Sequence, residues 1–134
     1  MPDTKGTILL IDDEASIRKV VSLRLAKEGY EVLTAESGEE GLRIAEERVP
    51  DLVLLDIMLP TMKGREVCAH LKANARTSNI PVIVLSALRL ADHVRAGLEA
   101  GAEDYIIKPF DSAVLRERIA VCLARHRNGH ERNV

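Results

Sequence analysis

Five residues of this chain carry groups that could do chemistry together: Asp12, Asp13, Asp56, Ser86 and Lys108. Asp12 and Asp13 follow the apolar run TILLI, with Glu14 next. Asp56 ends DLVLLD, Ser86 lies near the end of IPVIVLSA, and Lys108 ends DYIIK just before Pro109. Three carboxylates held close together repel one another and resist ionisation. A divalent cation relieves that repulsion, and oxygen ligands with no His or Cys beside them favour Mg2+ or Mn2+ over Zn2+. A lysine adds a point charge for phosphate oxygens and a serine adds a hydroxyl donor. A carboxylate nucleophile, a metal, a lysine and a hydroxyl suit in-line phosphoryl transfer onto the carboxylate.

Taken singly, each residue has a plainer reading. An Asp pair after a strand is often a helix N-cap. A Lys before Pro is usually a surface residue at a turn, and a Ser at a strand end usually caps local backbone. What lifts the set above these readings is that every member falls at the same edge of consecutive elements.

Those elements alternate along the chain. TILLI (Thr7–Ile11), YEVLTA (Tyr30–Ala35), DLVLLD (51–56), IPVIVLSA (Ile80–Ala87) and DYIIK (104–108) are short apolar runs of strand length. Between them lie helical patterns. EASIRKVVSLRLAKEG places Ile17, Val20, Val21 and Leu25 at helical spacing, and Gly29 closes it. SGEEGLRIAEERV starts with Ser37 and carries Glu40 three residues on, a capping-box pattern that Pro50 ends. GREVCAHLKANA sets Val67, Cys68 and Leu71 on one face, and LRLADHVRAGLEA ends at Gly101. SAVLRERIAVCLARH sets Leu115, Ile119, Cys122 and Leu123 in an apolar stripe.

Continuous rather than alternating apolar strands imply a sheet covered on both faces. Strand–helix alternation implies parallel strands joined by right-handed crossovers. The expected fold is α/β, a doubly wound three-layer (βα)5 sandwich, in which ligands bind at the carboxyl ends of the strands. That placement explains why an apolar strand carries Asp56: the residue stands where the strand emerges into a shared acidic crevice.

Composition narrows the function classes. The chain has 134 residues, enough for one domain with a real core. Its formal net charge of −2 and lack of Trp point away from direct nucleic-acid binding or a base-stacking platform. The basic stretch RHRNGHERNV reads as a frayed helix end or linker. No apolar run reaches the length of a membrane span and MPDTKG is no signal peptide, so a cytoplasmic location is expected, with no membrane contact. Cys68 and Cys122 are far apart in sequence and read as small buried hydrophobes.

The segments ILLIDDE, DLVLLDIMLPTMKG, IPVIVLSA and GAEDYIIKPF together resemble the receiver domain of bacterial two-component response regulators, in the manner of chemotaxis-regulator-like receivers. The resemblance implies a flavodoxin-like fold with a five-stranded parallel sheet in the order 2-1-3-4-5. It implies that Asp56 takes a phosphoryl group from a sensor histidine kinase or a phosphotransfer protein. Asp13, Asp56 and the Met58 backbone carbonyl would hold Mg2+ (or Mn2+), with Asp12 acting through water. Ser86 would be the switch hydroxyl, Lys108 the phosphate-binding lysine and Tyr105 the switch aromatic. The Lys108–Pro109 bond would be cis. Met58 and Leu88, two places after the acceptor and the switch hydroxyl, would line the approach of water. Both are apolar, so slow loss of the phosphoryl group is expected.

Two positions depart from the usual pattern. Lys63 stands in PTMKG where an acidic residue often precedes the glycine, and Ser86 replaces the more frequent Thr. The implied output is a signalling switch rather than an enzyme, although such a domain assists its own phosphorylation and dephosphorylation. The switching face would combine the fourth predicted helix, the fifth strand and the last helix, and act on an output partner or domain. Winged-helix regulators cross-link this face between subunits with charged residues. Here Asp104 and Arg118 match one charged pair, while Val94 and Val114, with Leu90 beside them, suggest a partly apolar patch that supports a phosphorylation-dependent homodimer. Residues 7–125 would form the receiver, 1–6 an N-terminal extension and 126–134 a tail or linker stub. ARTSNIPVIVLSA resembles stand-alone receivers and those ahead of cyclic-di-nucleotide synthases, whereas GLEAGAEDYIIKPF resembles those attached to winged-helix domains.

Competing readings lack a residue each. A haloacid-dehalogenase-like phosphatase needs a second Asp two residues after the nucleophile, where this chain has Met58. A flavodoxin-like cofactor carrier needs a hydroxyl- and Gly-rich loop after the first strand, where DDEASI is acidic. A degenerate receiver used as a scaffold would not keep the whole set.

Overall fold

In the computed structural model, residues 4–87 and 101–132 are described. Five strands, β1 (Thr7–Ile11), β2 (Glu31–Ala35), β3 (Leu52–Asp56), β4 (Val82–Ser86) and β5 (Asp104–Ile107), pair in parallel in the order β2-β1-β3-β4-β5. The helices are α1 (Ala15–Lys27), α2 (Gly38–Arg48), α3 (Gly64–Ala73) and a C-terminal helix (Ser112–Arg132).

The apolar runs are continuous because each central strand buries both of its faces. In β3, Leu52 and Leu54 pack with Val21 and Leu25 of α1 and with Leu115 and Ile119 of the C-terminal helix. Val53 and Leu55 pack on the other side with Ala45 of α2 and Val67, Cys68 and Leu71 of α3. β4 divides the same way, with Ile83 and Leu85 on the first side and Val82 and Val84 on the second. All five residues of β3 and of β4 are buried. Truncating one such fully buried leucine to alanine costs about 2–5 kcal/mol in comparable cores.

Helix boundaries follow local chemistry. Ser37 caps α2, its hydroxyl accepting from the Glu40 N–H at 3.1 Å. The Glu40 carboxylate reaches back to the N–H of Glu36 rather than of Ser37, so the capping box closes one residue early. Gly29, just past α1, has φ +101, a left-handed conformation that glycine adopts without a Cβ penalty. At the end of α2 the same role falls to Val49, with φ 42, ahead of Pro50.

Two expectations change. Val20 is about half exposed at 48%, because the buried stripe of α1 runs along Val21 and Leu25, and Val20 flanks it. The C-terminal helix continues to Arg132 instead of ending at His126, since the residues that follow, RNGHER, hold no proline to break it. The predicted helix LRLADHVRAGLEA, with Leu88, Leu90 and Val94, lies outside the described residues. Among the described residues no helix is long and apolar enough to cross a membrane.

Candidate functional site

Strand register assembles the site. Ile11 of β1 pairs with Leu55 of β3, so the next residues, Asp12 and Asp56, emerge side by side. Asp56 pairs with Leu85, and Ser86 pairs with Ile107, so Ser86 and Lys108 arrive at the same edge one step later. Each polar group follows the last core residue of its strand. Its backbone is held by the sheet while its side chain reaches the crevice.

Asp12, Asp56 and Ser86 are buried, at 0%, 5% and 0% exposure. The Lys108 ammonium is shared among three carboxylates. Its Nζ lies 2.8 Å from Asp12 Oδ2, 3.4 Å from Asp56 Oδ2 and 4.0 Å from Glu14 Oε1. The other oxygen of each buried carboxylate accepts a backbone N–H two residues on, Glu14 onto Asp12 Oδ1 and Met58 onto Asp56 Oδ1, both at 2.9 Å. These short turns set the carboxylate planes and leave Asp56 Oδ2 turned toward Lys108. Asp13 is exposed, yet a carboxylate oxygen from each of Asp12, Asp13 and Asp56 comes within 4.8 Å of the others. The plainer cap reading fits only in part, because the N-cap of α1 is Glu14 and makes no side-chain cap bond.

Electrostatics follow from burial. Burial pushes the Asp56 carboxyl above its usual value, and the neighbouring Asp12 charge adds to this. The Met58 N–H and the Lys108 charge pull the other way without cancelling it. Burial disfavours the charged Lys108, but its bond to Asp12 and the charges of Asp56 and Asp12 outweigh that and hold its ammonium above the usual lysine range. Phe110 packs at the edge of the core beside the cis Lys108–Pro109 peptide.

The loop that follows Asp56 depends on glycine. The Gly64 N–H donates to the Ile57 carbonyl at 3.1 Å, folding residues 57–64 back onto the end of β3. A Cβ on Gly64 would stand 2.5 Å from Ile57 Cα and 2.7 Å from the Asp56 carbonyl oxygen, so only glycine lets α3 start there.

The sequence model of the response regulator receiver domain matches residues 8–120. This chain belongs to the response regulator receiver family. The receiver is 44% identical over 119 residues to the transcriptional regulatory protein AfsQ1 of Streptomyces coelicolor, covering 89% of this chain and 52% of that protein. It is 44% identical over 119 residues to the phosphate regulon transcriptional regulatory protein PhoB of Pseudomonas aeruginosa, again covering 89% of this chain and 52% of the relative. The receiver thus spans about half the length of the curated relatives it matches. Its backbone superposes on chemotaxis protein CheY4 of Vibrio cholerae with a TM-score of 0.82 at 30% identity, covering 86% of this chain and 96% of that one.

Other expected site residues are placed as follows. Met58 is 59% exposed at the mouth of the crevice. Tyr105 is buried among the aliphatic side chains of the α2–α3 side. Arg118 and Asp104 pair within one chain, with Nη1 at 2.7 Å from both carboxylate oxygens, and Val114 is exposed on the same helix. Residue-level reasoning assigned no role to Glu14 or Arg18. Glu14 is the third neighbour of Lys108, and the Arg18 guanidinium donates to the Asp12 carbonyl at 2.9 Å, bracing the turn that carries the acidic pair. The IDDE run already placed Glu14 at this edge; Arg18 carried no such signal, since its partner is a backbone oxygen.

Proposed function

We propose that Asp56 accepts a phosphoryl group from a sensor histidine kinase or phosphotransfer protein in an Mg2+-dependent reaction. The observation that carries this reading is the buried Asp56 carboxylate, 3.4 Å from Lys108 at the carboxyl edge of the sheet. The donor set fits a hard cation, being three carboxylates with oxygens within 4.8 Å and no His or Cys among them. Asp13, Asp56 and the Met58 carbonyl would hold Mg2+ (or Mn2+), with Asp12 acting through water. When bound, the ion neutralises charge on the phosphoryl oxygens.

An Asp56 carboxylate oxygen forms the new O–P bond as the P–N bond of the phosphohistidine donor breaks, and the imidazole leaves with the electron pair. The Met58 N–H fixes the carboxylate rotamer. Lys108 neutralises a phosphoryl oxygen, and Ser86 donates its hydroxyl to another. The phosphoryl group carries about −1.5 to −2 charge in place of the single carboxylate charge, and sets strong acceptors at one point. Met58, exposed and apolar, cannot orient an attacking water, which favours slow loss of the group.

Residues 7–125 act as the receiver, with 1–6 as an N-terminal extension and 126–134 as a tail or linker stub. The relatives named above are transcriptional regulators, so DNA contact would belong to an attached domain. Among the described residues, the switching face combines β5 and the C-terminal helix. There Val114 supports a phosphorylation-dependent homodimer, and the Asp104–Arg118 pair can exchange between subunits.

Incubation with acetyl phosphate and Mg2+ followed by intact mass measurement tests the acceptor. The wild type gains one phosphoryl mass, Asp56→Asn gains none, and omission of Mg2+ abolishes labelling. Equal labelling of Asp56→Asn removes the assignment. Sedimentation with beryllofluoride tests the face: a Val114→Glu chain that dimerises as well as wild type takes Val114 out of the interface.

A further inference from the structure

Far along the C-terminal helix from its first turn, Cys122 and His126 lie four residues apart and therefore on one face. Glu103, just before β5, meets them there. The Cys122 sulfur, a His126 ring nitrogen and a Glu103 carboxylate oxygen all lie within 4.8 Å of one another. His126 Nε2 is 2.8 Å from Glu103 Oε1, and Arg125 approaches the other carboxylate oxygen at 3.8 Å. Cys122 is buried, whereas the side chains of Glu103 and His126 are 26% and 32% exposed, so the group has a protein floor and an open mouth.

We propose that Glu103, Cys122 and His126 form a Zn2+ site, with water as the fourth ligand. A thiolate, an imidazole and a carboxylate are the donors that zinc takes, at about 2.0–2.3 Å each in tetrahedral geometry. Ligand atoms of such a centre stand roughly 3.4 Å apart, so the 2.8 Å Glu103–His126 contact opens slightly and the sulfur, now within 4.8 Å of both, settles to that spacing. The sulfur and nitrogen donors separate this group from the all-oxygen crevice, which suits a hard cation. Arg125 steers the Glu103 carboxylate from outside the ligand set.

Proton balance is simple. Burial, with Glu103 nearby, pushes the Cys122 thiol up to about 11, so without a cation the sulfur keeps its proton. Binding Zn2+ forms the S–Zn bond and releases that proton to solvent. The bound ion would join the start of β5 to the helix at a second point beyond the Asp104–Arg118 pair, and so restrain the helix that leads out of the receiver.

Titration of the reduced chain with Co2+, in excess Mg2+ to fill the acidic crevice, tests the site. A thiolate-to-cobalt charge-transfer absorption should appear at one equivalent and be bleached by Zn2+. It should persist in Cys68→Ser and Asp56→Asn, vanish in Cys122→Ser, and need at least tenfold more Co2+ in His126→Asn. Absence of the band in wild type, or an equal band in Cys122→Ser, overturns the proposal. Should Cys122→Ser fail to fold, the partly exposed His126→Asn decides: unchanged Co2+ affinity means an isolated thiol and overturns the site, and weakened affinity supports it. Failure here leaves Asp56 labelling untouched, since the two sites share no residue.

Discussion

The two ends of the β-sheet treat polar groups in opposite ways. At the amino ends, backbone closes on backbone. Asp51 N–H donates to Thr7 at 2.8 Å, Val53 N–H to Pro81 at 3.0 Å and Glu103 N–H to Val82 at 2.8 Å. Asp51, a carboxylate at that end, is exposed and accepts the Thr7 N–H at 2.7 Å. At the carboxyl ends, Asp12 and Asp56 are buried side by side and divide one ammonium between them. One end keeps its carboxylates at least partly exposed and gives each its own partner, Glu31 with Arg48, Glu103 with His126 and Asp104 with Arg118. The other holds repelling charge that is relieved only by a cation or a proton, which is what a reactive site requires and a purely structural one avoids.

The largest expected effect lies where the two demands meet. Gly64→Ala pushes a Cβ into the Asp56–Ile57 backbone. It should cost about 1–3 kcal/mol in a urea titration and slow acetyl phosphate labelling as well. A variant with wild-type stability and labelling would show that the loop after β3 yields freely and that the carboxyl end is not rigidly set.

Next is the mouth of the crevice. Met58→Asn replaces an exposed apolar side chain with one that can orient water. Loss of label should speed up roughly fivefold, the equivalent of one net hydrogen bond of about 1 kcal/mol. An unchanged or slower decay, followed by mass after removal of the phosphodonor, would take Met58 out of the path of water.

The smallest effect gives the sharpest contrast. Because the Asp56 carboxyl is raised above its usual 3.8, the folded chain holds that proton more tightly than the unfolded chain. Asp56 therefore costs no stability at pH values well below 3.8, costs increasingly as pH rises through its folded value, and keeps that cost at neutral pH. Without metal, Asp56→Asn should melt a few degrees above wild type at pH 7, the scale of about 1 kcal/mol in a domain of this size, and the gain should fade on acidification. Asp51→Asn, at the other end, should lose at most about 1 kcal/mol and label normally. If both variants melt below wild type at pH 7, the contrast between the two ends fails.

Much of this arrangement was legible in the residues. The apolar runs announced buried parallel strands, and the first polar residue after each run marked the edge where chemistry would gather. Which strands are neighbours was not legible from periodicity, since register between Ile11 and Leu55 is a property of the folded sheet; the order came from family resemblance. Val20 misled because helical spacing admits two adjacent faces and only packing chooses between them. The end of the last helix was missed because polar residues extend a helix as readily as they end one. Cys122 and His126 carried a visible four-residue spacing, but Glu103 joins them only through the fold.

The crevice also has an electrophoretic consequence. Asp12, Asp13 and Asp56 with Lys108 leave two formal negative charges, and the whole chain's formal net charge is −2. Outside these four residues, formal acids and bases balance. A chain loaded with one divalent cation would therefore be formally neutral at pH 7, and phosphorylation, which replaces the single charge of the Asp56 carboxylate with the roughly two of an acyl phosphate, would bring it to about −1. In a native gel run with and without magnesium, the unmodified protein would slow markedly in the presence of the ion, and the phosphorylated form would regain part of its mobility. Near neutrality the molecules repel one another least, so the magnesium-loaded, unphosphorylated protein would also be the least soluble of the three forms.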